Sequence, residues 1–351
     1  MIALPFPAEA QSETERLIDA INLSALQELA GDLSITETAI GLLRGETDLV
    51  DTLIGSFDFK TVISNAGMRA GQILIPIGLW GLCPALLGER GALAAGKFCA
   101  CTLAASLAQI LFAQYRSAMS AAERIALLCE GAAPVLTTLL SASGAVTSSA
   151  LLTPAAGIAA QICTELIGRY MIPILGCCGV LAVCPAFSER FSFSGLRKLM
   201  TGACTWLQAG VLGLFMSVLH MRGMLKTGMD GLSMQTAKYT IDSLLPVVGG
   251  DVADSLGLLV ASAKAVHAGV GAVCCALLLS FCIEPVCAAA AAFLLVRVCR
   301  AIVQPIGAGG AIALLDGFSE VLQAMLVSIV CAAVLFVMLL GASFRMAAAL
   351  G

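Results

Sequence analysis

Long uncharged apolar runs constrain this chain more than any other feature of it. No charged residue stands between Glu130 and Glu165, and none between Glu320 and Arg345. A helix needs about 20 mainly apolar residues to cross the hydrocarbon of a bilayer. In that solvent every backbone N–H and C=O has to be satisfied internally, which helices do within a single segment. Only 12% of the residues are charged, 59% are hydrophobic and the mean hydropathy is +0.97, against about 25% charged in a soluble domain. The expected fold is therefore all-α, a polytopic helical membrane protein with membrane lipid as its surroundings.

The runs fall in order along the chain. Met1 to Ala10 ends in Ala8-Glu9-Ala10, the small-x-small arrangement of a signal-peptide cleavage site, and residues 1–10 read as the remnant of such a signal or as an ordinary chain end. Residues 11–69 form a polar segment with Leu17, Ile18, Ile21, Leu26 and Leu29 at helical spacing, and Ser12 and Glu15 at capping-box spacing ahead of them. Such amphipathic helices lie on the membrane surface, or dock another extracytoplasmic protein. Residues 70–351 hold the spans: Gln72 to Gly88, Phe98 to Tyr115 ending at Arg116, Tyr170 to Phe187, Thr201 to His220, Ser255 to Ile283 and Val321 to Phe344. Between Glu130 and Glu165 two short or tilted helices are expected around Gly144 and Ser148-Ser149, and Val286 to Ile306 is expected to be re-entrant or interfacial because Arg297, Arg300 and Pro305 interrupt it. The total is six to eight spans. The loop Glu189 to Lys198 carries Arg190, Arg197 and Lys198, which the positive-inside rule places in the cytoplasm. The amino-terminal segment and the stretch after His220 then lie outside.

Little in the chain suggests catalysis. The formal net charge is −4, so no basic surface recommends nucleic acid as a partner. The 15 cysteines sit almost entirely in apolar runs, where free cysteine behaves as a small hydrophobe, and with two histidines and no C-x-x-C pair they suggest no metal site. Gly91 to Lys97 imitates a phosphate-binding loop, but Phe98 stands where Ser or Thr would hold magnesium. No H-E-x-x-H or serine–histidine arrangement is present, and Gly249-Gly250-Asp251 lacks the second intramembrane aspartate an aspartyl protease requires. No catalytic, cofactor or metal residue is expected.

The stretch Gln235 to Gly271 groups signals found together nowhere else. Lys238 and Asp242 share a helical face, Pro246 stops that helix, Gly249 and Gly250 permit a turn, and Asp251 with Asp254 can cap the next helix. The result is a corner at a membrane surface, read as a docking or gating element. Its sequence TAKYTIDSLLPVVGGDVADSLG, with looser likeness at Leu42 to Gly55, at Ile283 to Val286 and around Arg300 to Pro305, resembles the stage III sporulation protein AE family. The resemblance implies a non-enzymatic membrane component of the channel or secretion-like complex between mother cell and forespore, needed for late forespore gene expression. It would sit in the mother-cell membrane facing the forespore. Its implied partners are the other proteins of the operon, including a cytoplasmic ATPase and ring-forming intermembrane proteins.

Ionisable residues inside apolar helices are functional candidates by default. Lys264, His267 and Glu284 are the chief ones, with Glu284 able to face Lys264 or Arg297 across the bundle. The alternative function built on them is a permease with a midplane solute site. Gly67 with Gly71, Gly210 with Gly213, and the run Ala288 to Ala292 allow close helix packing or a homo-oligomer.

Overall fold

A computed structural model describes residues 59–142, 154–155, 157–187, 193–217, 249–306 and 309–348. The expected signal remnant, and the polar segment as far as residue 58, lie outside the described residues. Every described element is helical. They are α1 (Phe59–Ala142), α2 (Gly157–Cys184, its α-helical part running on to Phe187), α3 (Ser194–Ser217), α4 (Gly249–Val303) and α5 (Gly309–Ala348). Within α2 the stretch Ile162–Met171 is π-helical, and the N–H of Ile172 donates to Ile167 O, five residues back. A 3-10 turn, Gln304–Ile306, closes α4 at Pro305.

α1 is not one straight rod. Ser106 Oγ lies 3.5 Å from Gln72 O, 34 residues earlier. A straight α-helix would separate them by about 50 Å, so the chain reverses between them. Ile73 and Ile77 accordingly share a core cluster with Leu103 and Leu107. The first expected span, after Gln72, is thereby set antiparallel to the second.

Side-chain contacts fix the directions of the other helices. Leu111 packs on Gly179, Tyr115 on Gly176 and Ala122 on Gly168, while the thiols of Cys129 and Cys163 meet. Each step forward on α1 is a step back on α2, so the two form a hairpin. His267 touches Phe344, and Arg300 pairs with Asp316. That ordering makes α4 and α5 a second antiparallel hairpin. Arg197 reaches Glu320 and Gln208 reaches Ser328, so α3 runs parallel to α5. One end of the bundle thus holds Arg197, Arg300, Asp316 and Glu320, the side expected to be cytoplasmic; the other holds His267 and Phe344. Two apolar clusters fill the interior, one around Ile125, Leu136, Val270 and Phe336, the other around Leu107, Leu175, Val296 and Phe318.

Five of the described helices are long and apolar enough to cross a bilayer: Ala94–Ser141, Gly157–Cys184, Ser194–Ser217, Gly269–Val303 and Gly309–Phe344. Met68–Leu79 is a shorter apolar helix. Three expectations change. The helix of Phe98 does not end at Arg116 but runs on to Ala142, because Arg116, Glu123 and Glu130 recur every second turn and stay on one exposed face while the opposite face remains apolar. The uncharged stretch after Glu130 supplies the end of α1, to Ala142, and the beginning of α2, from Gly157, so the two expected helices are parts of longer ones; the expected turn around Gly144 and Ser148-Ser149 lies outside the described residues. Val286 to Ile306 is not re-entrant: α4 carries straight through Glu284-Pro285 to Val303. Pro285 is buried there, and a proline inside a membrane helix is tolerated where neighbouring groups and small local adjustments re-satisfy the freed carbonyl.

Candidate functional site

Seven of the residues singled out in the sequence fall on α4. Gly249 and Gly250 open the helix, with Asp251 and Asp254 in its first two turns. The glycine pair expected at a turn is therefore already helical, and Asp251 stands third in the helix rather than ahead of it. Acidic residues in a first turn lie where the free N–H groups and the positive end of the helix dipole favour them. Lys238, Asp242 and Pro246 lie outside the described residues. Lys264 is on α4, its side chain outside the described set.

His267 is 1% exposed, and its ring meets Phe344 edge-on, with centroids 5.5 Å apart and planes at 79°. One turn later Gly271 faces the same ring, and a Cβ added there would collide with it. The absence of a side chain at Gly271 is what lets Phe344 seat against α4. Among the described residues neither nitrogen of His267 has a hydrogen-bond partner of good geometry, although the Ser343 backbone runs alongside. Ser343 is itself fully buried, its hydroxyl donating to Leu340 O at 2.7 Å. An imidazole buried in apolar surroundings with no partner of good geometry is costly.

Glu284 is exposed and takes part in none of the described ion pairs. Of its two expected partners, Arg297 lies over Phe293 at 4.7 Å, and the side chain of Lys264 is outside the described set. The structure therefore does not bring Glu284 and Arg297 together inside the bundle.

At the opposite end stands an arrangement the sequence did not reveal. Arg197 Nε and Nη2 both donate to Glu320 Oε2, at 3.1 and 2.9 Å. The Arg197 side chain is 5% exposed against 33% for Glu320. Room for the guanidinium comes from Gly317, where a Cβ would stand 2.6 Å from Arg197 Nη1 and 3.0 Å from Ala182. One turn before Glu320, Asp316 pairs with Arg300 of α4. Farther along the same seam Gln208 Nε2 donates to Ser328 Oγ, both residues buried, while Gln208 Oε1 and Gln114 Oε1 find no partner among the described residues. Polar contacts thus tie α3 and α4 to α5.

A third feature lies at mid-height on the outside. Arg116, Glu123, Arg124 and Glu130 of α1, Glu165 and Arg169 of α2, and Glu284 of α4 are all exposed. Glu165 and Arg169 pair at 3.2 Å within the π-helical stretch. Arg124 lies over Phe281 of α4 at 5.9 Å, and Arg116 over Phe112 at 5.5 Å. Cys163 meets Cys129 and lies beside Cys282 and Cys331. Glu130 and Glu165 are therefore level with Cys331, near the middle of the uncharged run of α5. Facing lipid at a helix centre costs roughly 2.5–3.5 kcal/mol for an Arg or Asp. Charges at that level, Glu130, Glu165 and Glu284, are poorly suited to hydrocarbon, and Glu123, Arg124 and Arg169 follow within two turns.

The sequence profile of the family described as Stage III sporulation protein AE matches residues 90–347. The chain belongs to the stage III sporulation protein AE family. That match takes in α2, α3, α5, most of α1 and all of α4, so both polar ends and the charged belt lie within the family region. The chain is also similar to Stage III sporulation protein AE of Bacillus subtilis (strain 168), 24% identical over 187 residues, which are 53% of this chain and 47% of that protein. The chain spans about half the length of this curated relative in the aligned part. No solved structure matches it. The family is one of sporulation proteins, and the five long apolar helices among the described residues fit a membrane protein.

Proposed function

We propose that this family member is a non-enzymatic membrane core of a channel or secretion-like complex joining mother cell and forespore, needed for late forespore gene expression. It acts in the mother-cell membrane, with a cytoplasmic ATPase and ring-forming intermembrane proteins as partners. The observation that carries this reading is the family match over residues 90–347. It is supported by two interior polar contacts that join helices, Arg197–Glu320 and Gln208–Ser328. The permease reading loses one of its two site residues, since Glu284 lies on the outside.

Deleting the gene in its host tests the proposal, with spore yield and a reporter of late forespore transcription as readouts. Normal vegetative growth with engulfed forespores that fail to switch on the late reporter is the expected result. Unimpaired sporulation would overturn it. Replacing Gly249 and Gly250 by Val tests whether the start of α4 is a docking element: protein retained in the membrane with sporulation lost is the expected result, and normal sporulation would overturn that role.

A further inference from the structure

The belt of charge at mid-height has a composition that identifies what covers it. Exposed α1 residues Arg116, Glu123 and Glu130 form one line, and Arg124 is turned toward α4. Across the α1–α2 hairpin the contacts Ala122–Gly168 and Cys129–Cys163 fix the register. They set Arg169 and Glu165 level with the Glu123-Arg124 turn. At this height the outer side thus carries Glu123 of α1 beside Glu165 and Arg169 of α2, both signs together. A covering surface of a single sign would be repelled by part of this group, whereas a surface of the same mixed pattern answers both signs.

We propose that this belt is an interface between two copies of the chain, with α1 of one copy laid against the π-helical stretch of α2 of the other. Copies inserted with the same orientation are related by an axis along the membrane normal. That axis preserves height, so Glu123 of one copy meets Arg169 of the second. The intramolecular Glu165–Arg169 pair, exposed on both side chains, exchanges partners on assembly. Interhelical polar contacts are well suited to hold such an interface, because lipid offers the separated faces no competing hydrogen bonds. Lipid is a poor neighbour for these charges, which point outward within about two turns of the level of Cys331, the middle of the uncharged run of α5.

The test uses the full chain in lipid nanodiscs, with native mass spectrometry reading the number of copies. The wild-type chain is expected as a dimer or a larger symmetric assembly. Glu123→Arg is expected to lower the associated fraction at least tenfold, and adding Arg169→Glu to restore it. Circular dichroism and the melting temperature of each variant show whether it is folded. In case Glu123→Arg does not fold, Glu123→Cys with Arg169→Cys is oxidised in the membrane and run without reductant; a covalent dimer requiring both introduced thiols supports the interface. A wild-type chain that stays monomeric overturns the proposal. So do an association indifferent to the charge exchange and an introduced cysteine pair that never links two copies. A monomer whose belt accepts a membrane-impermeant label would mean instead that the face borders water or a different protein.

Discussion

Gly271 and Gly317 each give up a side chain so that a bulky neighbour can enter, and the substitutions that refill those notches are correspondingly informative. Gly271→Val forces the Phe344 ring away from α4, an overpacking that typically costs 1–3 kcal/mol. The melting temperature in detergent should fall, and Phe344→Ala introduced alongside should recover part of it; two independent losses that simply add would contradict the fitted pair. His267→Leu is expected to leave stability unchanged or raise it, because it removes two buried nitrogens that have no good partner among the described residues. A clear drop in melting temperature would show that the imidazole is satisfied. At the other end Arg197→Met strips Glu320 of two hydrogen bonds. About 1–3 kcal/mol of destabilisation is expected, at the modest end for a broken ion pair because Glu320 keeps some contact with water. His267 was legible in the sequence as a histidine out of place in an apolar helix. Arg197 was legible only as a positive charge in a loop, since its partner is 123 residues away and local patterning carries no information about pairs at that distance.

Among the elements, α1 departs most from what hydropathy suggests, and its reversal is directly checkable. Cysteines at Gln72 and Ser106 should be joined by mild oxidation within one chain, identified as a linked peptide pair by mass spectrometry; a straight helix would keep them about 50 Å apart and give no such product. α3 differs from its neighbours in another way: 22% of its span is buried, against 56% for α5. Its outer side exposes Leu199, Trp206 and Leu214, while Arg197, Thr201, Cys204 and Gln208 turn inward. Few contacts hold it, so each matters more. Replacing Gln208 by Leu is expected to loosen α3 by about 0.6 kcal/mol, the mean for interhelical hydrogen bonds in a membrane, with faster amide exchange confined to Ser194–Ser217 as the signature. The helices themselves were legible because long apolar runs have no other stable form in lipid. Their ends were not, because a charge can terminate a span or ride on an exposed face, and at Arg116 it does the second.

For the molecule as a whole, the expected orientation rested on the basic stretch ending at Lys198; in the bundle Ser194 to Lys198 open α3 rather than form a loop, and Arg197 stands at the end opposite His267. The way five long helices stack into two hairpins and a lone companion was not readable, because it depends on contacts such as Leu111 with Gly179 and His267 with Phe344. The charged belt was present in the sequence as separate residues; only the register of α1 against α2 gathers it. One further consequence follows from the length of α5. Its uncharged run, from Val321 to Phe344, rises about 36 Å at 1.5 Å per residue, several ångströms more than the roughly 30 Å hydrocarbon of an average bilayer. The helix meets that excess by tilting or by gathering thicker lipid around itself, so the protein carries a preference among bilayers, written as a matching of hydrophobic depths.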